Sequence, residues 1–130
     1  MDKPSFLVGS EKRFFDFIAT LNDKDKIALI SHTDLDGLAA AKIVNEVIQP
    51  DFMEFVDYEE LNLSLIQKLK KEKAKKVILT DIAINDEDFI KELEKFSEVL
   101  IIDHHLFPKD FNSDKTIFLN AQNFCATYIC

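Results

Sequence analysis

Cysteine is nearly absent from this chain: Cys125 and Cys130 are the only two, and both fall in the last six residues. Placed there they cannot staple a fold, so a disulfide framework is excluded and the thiols are read as buried or idle. No apolar run reaches the roughly 18 residues of a membrane span. The opening stretch, MDKPSFLVGSEKRFF, has neither a continuous apolar segment after its basic residue nor a small-residue cleavage pattern, so no secretory signal is expected. These absences lead us to expect a cytoplasmic protein without membrane contact. A broad basic face is also missing, since 16 Lys+Arg against 24 Asp+Glu give a formal net charge of -8. Proteins that grip long nucleic acid usually carry the opposite balance. The one basic run, QKLKKEKAKK (Gln67 to Lys76), closes an expected helix and reads as a solvated end that complements the dipole, in preference to a phosphate-binding patch. Internal repeats, glycine-rich linkers and low-complexity segments are absent too.

What is present fits one soluble domain. The 130 residues are 47% hydrophobic and 31% charged, enough for a real core with little room for a second unit. Phe14, Phe17, Ile18 and Leu21 recur at helical spacing behind Ser10, which predicts an amphipathic helix over 10–22. Ile27 to Ser31 is a short apolar run suited to a strand buried on both faces, and GLAAAKIVNEVIQP continues as a helix stopped by Pro50. A weaker strand is expected from Met53 to Asp57, a helix from Leu61 to Lys71, and a third strand from Lys76 to Asp81. Asp86 caps a helix running to about Phe96, and strands follow at Val99 to His105 and Thr116 to Asn120. This alternation predicts an α/β fold: an open, mainly parallel five-stranded sheet with helices on both faces, preceded by an N-terminal helix.

Such sheets bind ligands beyond the carboxyl ends of their strands, where the strand order reverses. Three of the apolar strands end in chemistry-bearing residues. IALIS leads into His32, Asp34 and Asp36; VILT leads into Asp81; VLII leads into Asp103, His104 and His105. Carboxylates pressed together repel one another unless protons or cations compensate, and divalent metal is the economical answer. Imidazole and carboxylate ligands without cysteine favour manganese, iron, zinc or magnesium, and a carboxylate-rich site leans to manganese or magnesium. His32, Asp34, Asp36, Asp81 and His104 suffice for two ions if Asp81 bridges, because its strand is expected to neighbour both others. Two ions about 3.5 to 4 Å apart would clamp a phosphoryl group for in-line attack by hydroxide. Gly37 would let the backbone approach closely at the start of the next helix, whose N–H groups offer a further phosphate site.

Taken singly, these signals are ordinary. DLDG caps helices routinely, His32 alone reads as a core histidine, and Asp81 alone as a turn cap. DHH is more specific, because two adjacent histidines after a strand-end aspartate have no usual packing role. The recurrence at three strand ends is what carries weight.

With SHTDLDG, VILTD and IIDHH in this order, the chain resembles the DHH phosphoesterase superfamily. The form HxDxDG is most similar to the archaeal-type branch of RecJ-like nucleases. That resemblance implies a manganese-dependent phosphoesterase acting on single-stranded or short oligonucleotides or a small phosphodiester, with two Mn2+ and with Mg2+ as a substitute. It implies that His32, Asp34 and Asp81 hold one ion and that Asp36, Asp81 and His104 hold the other. His105 would contact the scissile phosphate, and Asp103 would orient a histidine from behind the ligands. A fourth aspartate motif and the C-terminal substrate-binding domain of the family are not recognisable. CATYIC resembles the start of the apolar helix that follows the third motif, so residues 1–130 are read as a truncated single domain. A second domain, another chain or a homodimer would complete the site.

A DHH-fold binding or scaffold module in replication or repair is the alternative, motivated by the missing fourth motif. A haloacid-dehalogenase-like start is disfavoured by His32 after the strand and by Leu38 where a Thr or Val belongs. An EF-hand fails because its twelfth position, counted from His32, is Ile43.

Overall fold

Side-chain alternation decides how the first strand is buried. In β1 (Lys26–His32), Ala28 and Ile30 pack into one core while Ile27 and Leu29 pack into another on the opposite face, and all four are buried. The computed structural model describes residues 8–21, 24–107, 109–121, 125 and 129. Within them the chain runs α1 (Glu11–Ala19), β1, α2 (Leu35–Ile48), β2 (Phe52–Val56), a 3-10 turn (Tyr58–Glu60), α3 (Leu63–Lys71), β3 (Ala74–Thr80), α4 (Glu87–Glu94), β4 (Glu98–Asp103) and β5 (Thr116–Asn120). The sheet order is β2-β1-β3-β4-β5, and every strand pair is parallel. Among the described residues, one isolated antiparallel bridge joins Val8 to Asn120, the last residue of β5.

The α/β expectation therefore holds, with the sheet wholly parallel. Helices α1 and α2 cover one face through Phe17, Ala41 and Val44. Helices α3 and α4 cover the other through Leu65, Ile66, Leu69, Phe89, Ile90 and Leu93. Each such aliphatic or aromatic side chain contributes roughly 1.5 to 3 kcal/mol when fully buried. On α2 the buried stripe is Gly37, Ala40, Ala41 and Val44, and its small members let the helix lie close to β1.

Capping sets the helix limits. Ser10 accepts from the Arg13 N–H, Asp34 from Gly37, Asn62 from Ser64 and Leu65, and Asp86 from Asp88. Several boundaries differ by a residue or more from the sequence reading, and three of them bear on the site. Helix α2 begins two residues before Gly37 because Asp34 caps it, and α3 begins at Leu63 because Asn62 caps it and a 3-10 turn fills the preceding residues. Strand β4 ends at Asp103, leaving His104 and His105 beyond the ladder. Most of the CATYIC segment lies outside the described residues. Of its residues Cys125 and Ile129 are described: the Ile129 N–H donates to Cys125 O at 3.2 Å, and Ile129 packs on the α1 and α2 side of the core.

Candidate metal centre

Strands β1, β3 and β4 end level with one another, with Ser31 opposite Thr80 and Thr80 opposite Ile102. From β1 the chain passes through α2 to β2 at one edge, whereas from β3 it passes through α4 to β4 on the other side. The order reverses between β1 and β3, which makes their carboxyl ends the binding crevice of an open sheet.

The β1 end is built on hydroxyls. Ser31 and Thr80 are fully buried; Ser31 Oγ accepts from Thr80 Oγ1 at 2.8 Å and lies 2.8 Å from Gly37 O and 3.0 Å from Thr80 O. This network fastens the first turn of α2 to the floor of the crevice. Gly37 is required there, since a Cβ would stand 2.1 Å from His32 O. Its N–H donates to Asp34 Oδ1 at 2.8 Å, so that amide serves the helix cap. His32 Nδ1 is 3.0 Å from Asp34 Oδ2 and buried, yet poorly aligned for a hydrogen bond, and it has no other partner. Burial raises the Asp34 carboxyl, but the hydrogen bond from the Gly37 N–H and the proximity of Asp81 and His32 outweigh it and its pKa is lowered overall.

Asp81 is the centre of the site. It follows β3 with φ of 54°, a left-handed backbone that non-glycine residues adopt sparingly and that recurs at functional sites. Its N–H donates to Ile102 O at 3.1 Å. Only 1% of the residue is exposed, and Oδ2 has no partner. Burial first, then Asp34 and Asp36, push its pKa up to about 9.

From β4 come the remaining groups. His104 Nε2 is 2.9 Å from Asp81 Oδ1 and 3.5 Å from Asp36 Oδ2. His105 Nδ1 is 2.7 Å from Asp103 Oδ1, and this hydrogen bond leads the causes that raise the His105 pKa. Asn120, at the end of β5, donates Nδ2 to His105 O at 2.8 Å and so ties down the DHH segment.

All the residues singled out from the sequence thus meet at one crevice. Ligand atoms of His32, Asp34 and Asp81 lie within 4.8 Å of one another, as do those of Asp81, Asp103, His104 and His105. Asp81 belongs to both groups. Asp36 belongs to neither, although its carboxylate reaches toward His104. The donor set is nitrogen and oxygen without sulfur, and at its middle are a partnerless buried carboxylate oxygen and a partnerless imidazole nitrogen. Those features fit a divalent cation.

Sequence reasoning missed three neighbours. Asp57, just past β2, lies 3.7 Å from His32 Nε2 and accepts from Thr33 Oγ1 at 2.8 Å; the strand-end rule applied to β2 would have found it. Tyr58 stacks on His32 with ring centroids 4.8 Å apart. Asn120 carried no signal beyond its place at a strand end.

Fold and crevice together define an open parallel α/β domain with a carboxylate and histidine centre. Residues 26–128 match the model of the DHH family, N-terminal domain, and the chain belongs to that family. Among solved structures it is similar to exonuclease RecJ bound to manganese, with TM-score 0.66 and 18% identity over 86% of this chain and 32% of that one. It is also similar to an uncharacterized protein from Helicobacter pylori G27, with TM-score 0.62 and 20% identity over 80% of this chain and 34% of that one. At these identities the likeness is one of fold, and the chain spans about a third of each protein's length. No curated protein matches it.

Proposed function

We propose that this domain is the catalytic part of a manganese-dependent phosphoesterase that hydrolyses phosphodiester bonds of single-stranded or short oligonucleotides. The observation that carries the reading is Asp81, shared by two ligand groups and left with a partnerless buried oxygen. In this reading His32, Asp34 and Asp81 hold one Mn2+, and Asp36, Asp81 and His104 hold the second, with Mg2+ able to substitute. Bound ions of this kind polarise phosphoryl oxygens and lower the pKa of water.

The chain's own residues do the rest. Asp103 fixes the His105 ring through Nδ1 and raises its pKa, which leaves Nε2 as the atom to meet a phosphate oxygen. Asn120 holds the backbone of that histidine in place. Of the two groups assigned to phosphate, His105 is the one we favour, because the Gly37 N–H is engaged by Asp34. Asp36 and Asp34 approach from the first turn of α2, where the Ser31 and Thr80 hydroxyls fix the helix to the sheet. We read residues 1–130 as one domain of a longer architecture, with the substrate surface completed by a second domain, another chain or a homodimer. The test is Mn2+-dependent release of mononucleotides from short oligomers, compared with Asp81→Ala. Loss of release in the variant is expected; equal rates would remove the proposal.

A second reading is a catalytically impaired DHH-fold scaffold. The position of Asp36, outside both tight ligand groups, is what favours it. It requires partner binding that survives Asp36→Ala combined with His104→Ala.

A further inference from the structure

Tyr58 has no role in the ligand groups, yet it stands beside both. The turn that carries it, Tyr58–Glu60, follows directly on β2 and Asp57. That turn is closed at both ends: Glu60 Oε1 accepts from the Asp57 N–H at 3.0 Å, and the Glu60 N–H donates to Asp57 O at 3.0 Å. The ring lies parallel to His32 at 4.8 Å with 26° between planes, and edge-on to His105 at 6.4 Å and 87°. A large aromatic placed this way is usually covered, but Tyr58 is 43% exposed.

Beside it opens a shallow pocket of about 80 Å³. Tyr58, Leu61, Ile84 and Phe89 form its apolar walls, and Asn85 and Asp86 stand on its α4 side. Among the described residues no lysine or arginine lines it, and the ion pairs of the adjoining centre join carboxylates to histidines. A phosphate would meet only acidic or neutral groups there. A flat, uncharged heterocycle would meet an aromatic face, apolar walls, and an amide that both donates and accepts. Leu35 and Leu106, next in sequence to Asp34 and His105, are each 82% exposed and extend the apolar character of the lip.

We propose that Tyr58 and this pocket form a nucleobase subsite: one base of the substrate stacks on Tyr58 while its phosphate lies at the metal centre beside His105. The inference rests on the phosphodiesterase reading and adds to it. Affinity then comes from the base and from the ions, with no lysine or arginine among the described residues lining the pocket, so the substrate class is the dinucleotide or short oligomer. Base-on-aromatic stacking is tolerant of sequence, so little preference among bases is expected.

The test uses the full chain with Mg2+ and an uncleavable phosphonate-linked dinucleotide carrying 2-aminopurine, displaced by the same dinucleotide with either a base or an abasic residue. Wild type and Tyr58→Phe should bind the base-bearing competitor about tenfold more tightly than the abasic one. Tyr58→Ala should erase that gap while keeping wild-type Mn2+ affinity, and Asn85→Ala, outside the histidine stack, should narrow it. Equal binding of the two competitors by wild type, or no dinucleotide binding at all, overturns the inference. Equal weakening of both competitors in Tyr58→Ala together with Mn2+ would show that the ring only braces His32, and would overturn it as well. A chain that shows the base preference yet releases no mononucleotide keeps the subsite and loses the hydrolase reading. Cleavage without base preference does the reverse.

Discussion

Replacing Asp81 with asparagine should stabilise the metal-free chain at alkaline pH while weakening its response to manganese. Folding carries this carboxyl from water to a position 1% exposed, beside Asp34 and Asp36, and its pKa rises from 3.8 to about 9. Between those values the folded state keeps a proton that the unfolded state has released, so stability falls as pH rises. From pH 5 to pH 8 this single linkage amounts to ~4 kcal/mol, or a drop of about 15 °C in Tm for a domain of this size. His105 acts in the same direction, because its raised pKa gives stability that is present below 6.5 and lost as pH climbs through the folded value. Asp34 acts at the acid end, where its lowered pKa gives stability that is lost as pH falls.

Asparagine has nearly the same size, carries no charge, and accepts the left-handed backbone found at this position. In EDTA the variant should therefore lose the Asp81 share of the pH slope and melt above wild type at pH 8. Manganese should reverse the wild-type trend, raising Tm more at pH 8 than at pH 5, because the ion displaces the Asp81 proton; the variant should respond weakly at both. Thermal melts followed by circular dichroism at pH 5, 7 and 8, with EDTA or Mn2+, read all of this. A metal-free wild type more stable at pH 8 than at pH 5, or a variant with the same slope, would refute the reasoning.

Two further outcomes follow from the geometry of α2. Gly37→Ala would put a methyl 2.1 Å from a backbone oxygen that cannot rotate away, so a loss of about 3 kcal/mol in urea unfolding is expected, with weakened Mn2+ binding because His32 shifts; a loss under about 1 kcal/mol would show that the first turn of α2 moves freely. Asp36→Asn should lower the Mn2+ content from two ions to one by native mass spectrometry, since its carboxylate is the only group from α2 near His104 in the proposed second ligand set. Retention of two ions would show that Asp81, Asp103, His104 and His105 hold the second ion without it.

The sheet was legible because each strand is a short apolar run whose alternate residues find separate cores, as Ile27 and Leu29 do against Ala28 and Ile30. Convergence of the site was legible for the same reason, since parallel strands in register must end together. What stayed hidden depended on local backbone that no periodicity announces. The Tyr58 turn is three residues long and sits between the strand expected to end at Asp57 and the helix expected from Leu61, where the sequence reading placed no element. The left-handed φ of Asp81 has no sequence signal, because Asp is common in ordinary turns. The two histidines were expected at the end of a strand, with His104 grouped with Asp81 by resemblance; that the ladder stops at Asp103, so that both lie beyond it, had no sequence signal.

The acids at the crevice do not meet the same problem, and the difference shows where a cation matters most. The Asp34 side chain is 50% exposed and accepts from a helix N–H, so water and the cap stabilise its charge. Asp103 is nearly as buried as Asp81, but the His105 ring lies 2.7 Å from it, and the hydrogen bond between them raises the imidazole pKa. Asp81 has His104 on one oxygen and nothing on the other, with two carboxylates pressing against it. A proton neutralises that arrangement without filling the open coordination, whereas a divalent ion does both and also relieves Asp34 and Asp36. Folding of the crevice and cation binding are in this way one equilibrium, and Asp81 is the residue through which they are joined.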